Sequence, residues 1–213
     1  NISNEVVVRL SYHTFSDNTI RSIDFHPYLL KQYNDRWFLL GAADTDMKIL
    51  TFALDRIDSV ESLPEKKYVE CREDLTERFE NILGVTFYGD RPIEHILFWV
   101  GEKSKHYIAT KPIHGSQIQY QGEKERIYKE LYPQFVGGAF FSIDCIHNYE
   151  LIRELCSYGS DLVVLSPENI RTKIIESLQK NISMYSKIYS NDEESFGNPH
   201  WPDCLLGCWV QRT

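Results

Sequence analysis

The chain has 213 residues, of which 42% are hydrophobic and 25% are charged, and its formal net charge is −8 with a pI near 5.4. This composition is typical of a folded globular protein and excludes general disorder. The acidic balance also excludes a surface that binds duplex DNA over its whole extent, because that mode needs clustered Lys and Arg.

Neither a membrane span nor a secretion signal is indicated by the sequence. No apolar run approaches the roughly 20 residues that a spanning helix needs. The first residues also lack a basic region followed by an apolar stretch. The five cysteines are an odd number, which favours reduced thiols. We therefore expect a cytoplasmic protein without membrane contact.

The first strand is predicted at residues 5–12, because Val6, Val8, Leu10 and Tyr12 fall on one face. Alternation resumes at residues 20–26. The two segments therefore predict a β-hairpin, and its loop contains Phe15, Asp17 and Asn18.

Residues 26–60 contain three short apolar runs and predict a β-meander. Pro27 is expected to start a segment in which a missing N–H is harmless. Asn34-Asp35 suits a tight hairpin turn, since both residue types tolerate turn geometry. Runs at residues 47–54 and 56–63 complete about five strands, and we expect these strands to close into a barrel.

The second half predicts a ferredoxin-like domain. A connector helix is expected at residues 73–83, followed by strands and helices in the order β-α-β-β-α-β and a final helix to about residue 185. Asn148 is the expected N-cap of the second crossover helix. The predicted fold class is therefore α+β, with a small Sm/SH3-like β-barrel at 1–70, a helical connector at 71–92, a ferredoxin-like domain at 93–190 and a C-terminal tail at 191–213.

Two stretches resemble known families. His26-Pro27, Arg36-Trp37-Phe38-Leu39 and residues 52–57 resemble the WYL domain family, with Phe38 at the position of the family's Tyr. Residues 157–168 resemble the WCX extension of WYL proteins. The resemblance implies an Sm-like barrel that follows a DNA-binding domain in bacterial transcription regulators and binds a regulatory ligand.

The resemblance also implies that basic and aromatic side chains of the barrel line the ligand site. An Arg guanidinium can bond a phosphate through two N–H groups, and an aromatic face can stack a base. This chemistry suits a nucleotide or a short single-stranded nucleic acid. The family's basic residues are replaced at two positions, Leu50 and Ala53. The candidate ligand-binding residues are Tyr12, Arg21, His26, Arg36, Trp37, Lys48 and Arg56.

Structural roles remain open for several of these residues. Trp37 lies between aliphatic residues in a predicted strand, where a Trp usually fills the core. Arg56 follows Asp55, so a local ion pair would explain it. His26 precedes a proline and could bond a backbone carbonyl instead of a ligand.

No cofactor, metal or catalytic motif stands out. His200, Cys204 and Cys208, or Cys145 with His147, could in principle ligate zinc, but the chain has no C-x-x-C pair. No G-x-S-x-G or H-E-x-x-H motif occurs. We therefore expect that the chain is not an enzyme.

The sequence as a whole predicts the ligand-sensing region of a WYL-type transcription regulator. A nucleotide or single-stranded nucleic acid would bind the barrel and control an N-terminal DNA-binding domain that is absent from these residues, in a homodimer. Two alternatives stay open. One is a metal-dependent nuclease accessory that uses Asp24 with Asp55, and the other is a scaffold that binds only protein.

Overall fold

The computed structural model describes residues 2, 4–14, 19–89 and 91–195. The chain divides into two compact units, Asn1–Arg171 and Thr172–Thr213. The loop that was predicted to hold Phe15, Asp17 and Asn18 lies outside the described residues. So do the possible zinc ligands His200, Cys204 and Cys208, and most of the predicted tail.

The first sheet contains five antiparallel strands in the order β4-β3-β2-β1-β5. Strands β4 and β5 form its two edges, and no strand pairing joins them within the described residues. The sheet is therefore open at its edges in the described part of the chain, and the prediction of a closed barrel is wrong. The strands are β1 (Val7–His13), β2 (Ile20–Tyr33), β3 (Arg36–Ala43), β4 (Ile49–Ala53) and β5 (Ile57–Leu63).

Strand β2 is continuous through Pro27, so the prediction that Pro27 starts a segment is wrong. The β2–β3 pairing shifts register between Pro27 and Leu29, and Pro27 lies opposite Gly41. A Cβ on Gly41 would lie 2.0 Å from the carbonyl oxygen of His26. The bulge accommodates the missing N–H of the proline, and the glycine lets the two strands approach closely.

The turn between β2 and β3 confirms the hairpin predicted at Asn34-Asp35. Both residues have left-handed backbone angles, with φ of 47° at Asn34 and 59° at Asp35. This is the geometry of a two-residue turn whose twist matches that of the flanking strands, and Asn and Asp adopt it at low cost.

The core of the first sheet follows the predicted alternation of β1. Val8, Leu10 and Tyr12 are buried on one face, whereas Arg9 between them is exposed. The burial of these apolar side chains on one face of the sheet is the main contribution to the free energy that stabilises it. The cluster they join also contains Phe25, Leu39 and Phe52.

The connector helix is shorter than predicted. Helix α1 spans Leu75–Glu80, and the side chain of Asp74 caps it by accepting from the N–H groups of Thr76 and Glu77. The chain then turns through Gly84, whose φ is +83°.

The second sheet confirms the ferredoxin-like prediction. Its order is β7-β8-β6-β9 with all neighbours antiparallel, so each crossover helix joins two strands that are not adjacent. Asn148 is the N-cap of α4, as predicted. The elements are β6 (Glu94–Val100), α2 (Lys105–Thr110), β7 (Ile118–Gln119), β8 (Ala139–Cys145), α4 (Tyr149–Ser157) and β9 (Leu162–Ser166).

Two further helices, both in the second half of the chain, differ from the prediction. Helix α3 (Gly122–Leu131) was missed because its sequence is mostly charged and has only a weak apolar stripe. Its Tyr128 packs against Tyr120 and Phe140, so the helix contributes to the apolar cluster of the second sheet. Helix α5 (Glu168–Ser195) extends further than residue 185.

The start of α4 is bonded to the loop that follows α1. The Asn148 side-chain amide donates to the carbonyl oxygens of Leu83 (2.7 Å) and Thr86 (3.1 Å). The Thr51 hydroxyl of β4 donates to the carbonyl of Val85 at 3.4 Å. Residues 83–86 therefore connect the first sheet to the second domain through hydrogen bonds on both sides.

Candidate ligand-binding site

Tyr12 and Arg56 are two predicted site residues that the structure brings into direct contact. Tyr12 ends the buried face of β1, and its ring centroid lies 4.6 Å from that of Phe52. The Arg56 guanidinium lies over the Tyr12 ring at 4.7 Å. Its Nε and Nη2 both donate to the His13 carbonyl oxygen, at 3.0 and 2.8 Å. The Arg56 guanidinium is thus held by its contact with the Tyr12 ring and by its two hydrogen bonds.

Arg21 belongs to the same end of the sheet. It pairs directly with Tyr12 in the β1–β2 ladder, and residues that are directly opposite place their side chains on one face. Arg21 is exposed and Arg56 is partly exposed, whereas Tyr12 is only 8% exposed. We refer to Tyr12, Arg21 and Arg56 as the Tyr12 cluster.

His26 lies away from the Tyr12 cluster and is fully buried. Its neighbour Phe25 packs in the core with Tyr12, so His26 points to the opposite face of β2. The backbone N–H of Val69 donates to Nδ1 at 3.1 Å, and Nε2 faces Asp44 Oδ1 at 3.1 Å. Because Nδ1 accepts, Nε2 carries the proton and donates to the carboxylate. The bond to a backbone carbonyl that we considered for His26 is therefore not what the structure shows.

Asp44 belongs to a charge network on this second face. Lys66 Nζ bridges Asp24 and Asp44 at 2.8 and 2.5 Å, and Arg9 Nε bonds Asp24 at 2.7 Å. The hydrogen bonds from Arg9 and Lys66 lower the pKa of Asp24 to about 2. Those from Lys66 and His26 lower the pKa of Asp44. The cavity of about 580 Å³ beside this network is therefore lined by paired charges.

Three further predicted residues, Arg36, Trp37 and Lys48, are exposed at positions outside the Tyr12 cluster. Trp37 is 48% exposed, so the core role that we considered for it is excluded. Arg36 pairs with Asp55 at 3.2 Å, and Lys48 pairs with Asp46 at 2.9 Å. Ligand binding by all seven residues stays a prediction, but only three of them share one end of the sheet.

The two carboxylates considered for a metal site are each paired with basic side chains. Asp24 is bonded to Arg9 and Lys66, whereas Asp55 is bonded to Arg36. No cluster of three possible metal-binding side chains occurs within residues 2, 4–14, 19–89 and 91–195. Burial raises the pKa of the Cys145 thiol to about 12, which keeps it protonated and a poor ligand.

A second cavity, of about 380 Å³, lies between the β2–β3 hairpin and helix α4. We call it the junction pocket and define it by Tyr33, Arg36, Thr86, Tyr149, Glu150 and Arg153. Sequence reasoning named only Arg36 among these residues. A Glu in the first turn of a capped helix is normally an exposed partner of the helix dipole, so nothing in the pattern marks Glu150 as buried.

The fold is thus an Sm-like sheet followed by a ferredoxin-like domain, and comparison with known families agrees with it. The WYL domain model matches residues 2–62, and the WCX domain model matches residues 96–181. The chain therefore carries a WYL domain followed by a WCX domain, as the sequence motifs indicated.

Two solved structures are similar to the chain at low identity. The first is the proteasome accessory factor B/C (PafBC) of Arthrobacter aurescens, with 15% identity, a TM-score of 0.34, and coverage of 84% of this chain and 25% of that one. The second is a CRISPR Cas-related protein, with 13% identity, a TM-score of 0.47, and coverage of 88% of this chain and 49% of that one. The chain thus spans half or less of the length of each. No curated protein matches the sequence.

Among the described residues, no helix combines the length and the apolar character that a lipid bilayer requires.

Proposed function

We propose that the chain is the ligand-sensing region of a WYL-type transcription regulator and that it has no catalytic activity. In this proposal a nucleotide or a short single-stranded nucleic acid binds the Tyr12 cluster. Binding then alters the action of a DNA-binding domain located elsewhere in the regulator. The presence of a WYL domain and a WCX domain in one chain supports a regulatory role.

The observation that carries the ligand class is the position of Arg56 over Tyr12. A guanidinium that two hydrogen bonds already hold loses little conformational freedom when a phosphate binds it. Arg21, on the same face, supplies a second positive charge. A net charge of −8 repels nucleic acid elsewhere, so binding should be confined to this local basic end.

Regulation requires that the ligand binds one arrangement of the protein better than another. Residues 83–86 are the structural link between the first sheet and the second domain, because Thr51 bonds this loop on one side and Asn148 on the other. A ligand-induced change in the sheet would therefore reach α4 through this loop. The homodimer expected from the sequence stays a prediction.

Fluorescence anisotropy with a short labelled single strand, over a salt series, tests the ligand class. Arg56→Ala should weaken binding by at least about tenfold, since a charge-assisted hydrogen bond contributes roughly 1.5–3 kcal/mol. The matched control is Arg126→Ala, which removes an exposed arginine of α3. No binding by the unaltered chain at low salt would overturn the proposal, and measurable hydrolysis of the strand would contradict the absence of catalysis.

A further inference from the structure

The segment that joins β5 to α1 lies on the face of the first sheet that carries His26. The backbone N–H of Val69 donates to His26 Nδ1 at 3.1 Å, and the carbonyl oxygen of Val69 accepts from the Tyr28 hydroxyl at 3.0 Å. The Tyr68 hydroxyl donates to the carbonyl oxygen of Pro27 at 2.8 Å. Three hydrogen bonds to β2 therefore fix the position of this segment on the sheet.

A cavity of about 370 Å³ is lined by this segment and by the sheet beneath it. We call it the Tyr28 pocket and define it by Tyr28, Met47, Ile49 and residues 69–73. Its volume is within the range of small-molecule sites, which are usually formed before the ligand binds. Since hydrogen bonds already hold the segment that forms one wall, the pocket can admit a ligand without a large rearrangement.

The apolar walls of the Tyr28 pocket are accessible. Met47 is 39% exposed and Val69 is 38% exposed, and Tyr28 and Ile49 are partly exposed. The Tyr28 hydroxyl donates to Val69, and burial raises its pKa to about 12, so this residue offers a ligand mainly the surface of its ring. The thioether of Met47 and the thiol of Cys71 add polarizable sulfur atoms, which pack favourably against aromatic rings.

The backbone of Met47 is strained. Its φ is 55°, in the left-handed region that residues other than Gly, Asn and Asp rarely adopt. Its backbone N–H donates to the carbonyl oxygen of Ala43 at 2.9 Å, which helps to hold this conformation. Residues held in such conformations cost free energy, and they occur preferentially at ligand sites and other functional positions. The strain at Met47 therefore supports a binding role for the pocket that it lines.

The charged residues of the Tyr28 pocket favour neither an anion nor a cation. Glu70, Arg72 and Glu73 are exposed and contribute both signs of charge. Glu73 is paired with Arg78 at 2.7 Å, so Glu70 and Arg72 balance each other. The walls formed by Tyr28, by apolar side chains and by sulfur atoms would not compensate a charged group for its lost hydration. The chemistry of the pocket therefore suits a neutral ligand.

We propose that the Tyr28 pocket binds a small neutral aromatic molecule. This site goes beyond the proposed function, because it lies on the face of β2 opposite the one that buries Tyr12 and does not use the Tyr12 cluster. A bound molecule would contact both the sheet and residues 69–73. Binding would therefore stabilise the arrangement in which the segment that leads to α1 lies on the sheet.

The fluorescence of N-phenyl-1-naphthylamine, a neutral aromatic probe whose emission rises in apolar surroundings, tests the proposal on the whole chain. We expect saturable binding. Val69→Asp should weaken it by at least about tenfold, because the new carboxylate loses hydration when the probe fills the pocket. The matched control is Val60→Asp, which changes an exposed valine of β5 and should leave binding unaltered.

Met47→Gly separates binding from folding. Glycine adopts a positive φ at low cost, so this variant relieves the backbone strain while it removes the thioether from the pocket. We expect probe binding to weaken by at least about threefold, since a sulfur–aromatic contact and apolar surface are lost. The midpoint of thermal unfolding should not fall, whereas a purely structural role of Met47 would lower it.

The thiol of Cys71 reports directly on occupation of the pocket. Alkylation by iodoacetamide, followed residue by residue by mass spectrometry, should slow at Cys71 when the probe is bound, because the probe blocks access to the sulfur. Cys156 of α4 is also partly exposed but does not line the pocket, so its rate should not change. Equal rates at Cys71 with and without the probe would contradict binding in this pocket.

Competition against the probe tests the ligand class. We expect 1-naphthalenemethanol to compete at least about threefold better than its saturated decahydro counterpart, because only the aromatic ring gains from the sulfur atoms. The anion 1-naphthoate should compete more weakly than the alcohol. Tighter binding of the anion would overturn the neutral class, and equal or tighter binding of the saturated alcohol would overturn the aromatic class.

The failure of this proposal is distinguishable from failure of the proposed function. Absence of saturable probe binding, or equal binding by the unaltered chain and Val69→Asp, would overturn the Tyr28 pocket alone. Arg56→Ala should leave probe binding unchanged, since Arg56 belongs to the Tyr12 cluster. A loss of probe binding in Arg56→Ala would contradict the separation of the two sites.

Discussion

Individual charged side chains of the first sheet are mostly engaged with one another. Asp24 accepts from Arg9 and Lys66, Asp44 accepts from Lys66 and His26, and Asp55 pairs with Arg36. These pairs explain why a basic residue in a family motif is not by itself a ligand group. Arg56 donates two hydrogen bonds to a backbone carbonyl oxygen, that of His13, and lies over the Tyr12 ring.

The lowered pKa of Asp24 predicts a dependence of stability on acidity. Since its pKa is about 2 in the folded protein and 3.8 ordinarily, the stabilisation is complete above pH 3.8 and is lost as the pH falls towards 2. Asp24→Asn should therefore reduce the free energy of unfolding by about 1–2 kcal/mol at neutral pH, after allowance for partial exposure. The difference from the unaltered chain should shrink as the pH falls through 2 and disappear below it.

Denaturant unfolding at a series of pH values measures this effect. The control is Asp58→Asn, which changes an exposed carboxylate of β5 for which the described structure shows no ion pair. A loss of stability that is the same for Asp24→Asn at neutral and at acid pH would contradict the role of its charge.

At the scale of elements, two N-cap residues differ in how much they contribute to the stability of the fold. Asp74 caps the short, largely exposed α1, and among the described residues its side chain bonds only that helix. Asn148 is 2% exposed, and it caps α4 and also bonds the loop that reaches the first sheet. The second cap is therefore part of the connection between the two domains.

Asn148→Ala should lower the free energy of unfolding by about 2–4 kcal/mol, because it removes a cap and leaves two partly buried carbonyl oxygens without their donor. Asp74→Ala should lower it by about 1 kcal/mol, which is typical of an exposed cap. Thermal or denaturant unfolding of both variants gives the comparison. Equal losses would show that the bonds from Asn148 to residues 83–86 do not contribute.

At the scale of the whole molecule, a net charge of −8 and a small basic end predict weak salt dependence of nucleic-acid binding. A single strand that contacts two or three arginines should give a slope of about −1.4 to −2.1 in a plot of log affinity against log salt. Duplex DNA should bind poorly, because its phosphates need a wider basic surface. Anisotropy at several salt concentrations measures both, and a slope several times steeper would point to a more extended basic surface.

The sequence by itself determined the features that depend on local chemistry. Alternation in β1, the Asn34-Asp35 turn, the Asn148 cap and the four strands of the second domain follow from residue type and spacing, so they were predicted correctly. Helix α3 was missed because its stability depends on packing against the second sheet more than on its own weak apolar stripe.

Only the tertiary structure decided which side chains meet. Trp37 proved exposed, and His26 proved buried on the face opposite Tyr12, because strand alternation separates neighbours that a motif places together. The Tyr28 pocket carries no sequence signal. One of its walls forms because Val69, 41 positions after Tyr28, bonds both Tyr28 and His26. Contacts between distant segments are set by packing, and packing cannot be read from spacing along one strand or helix.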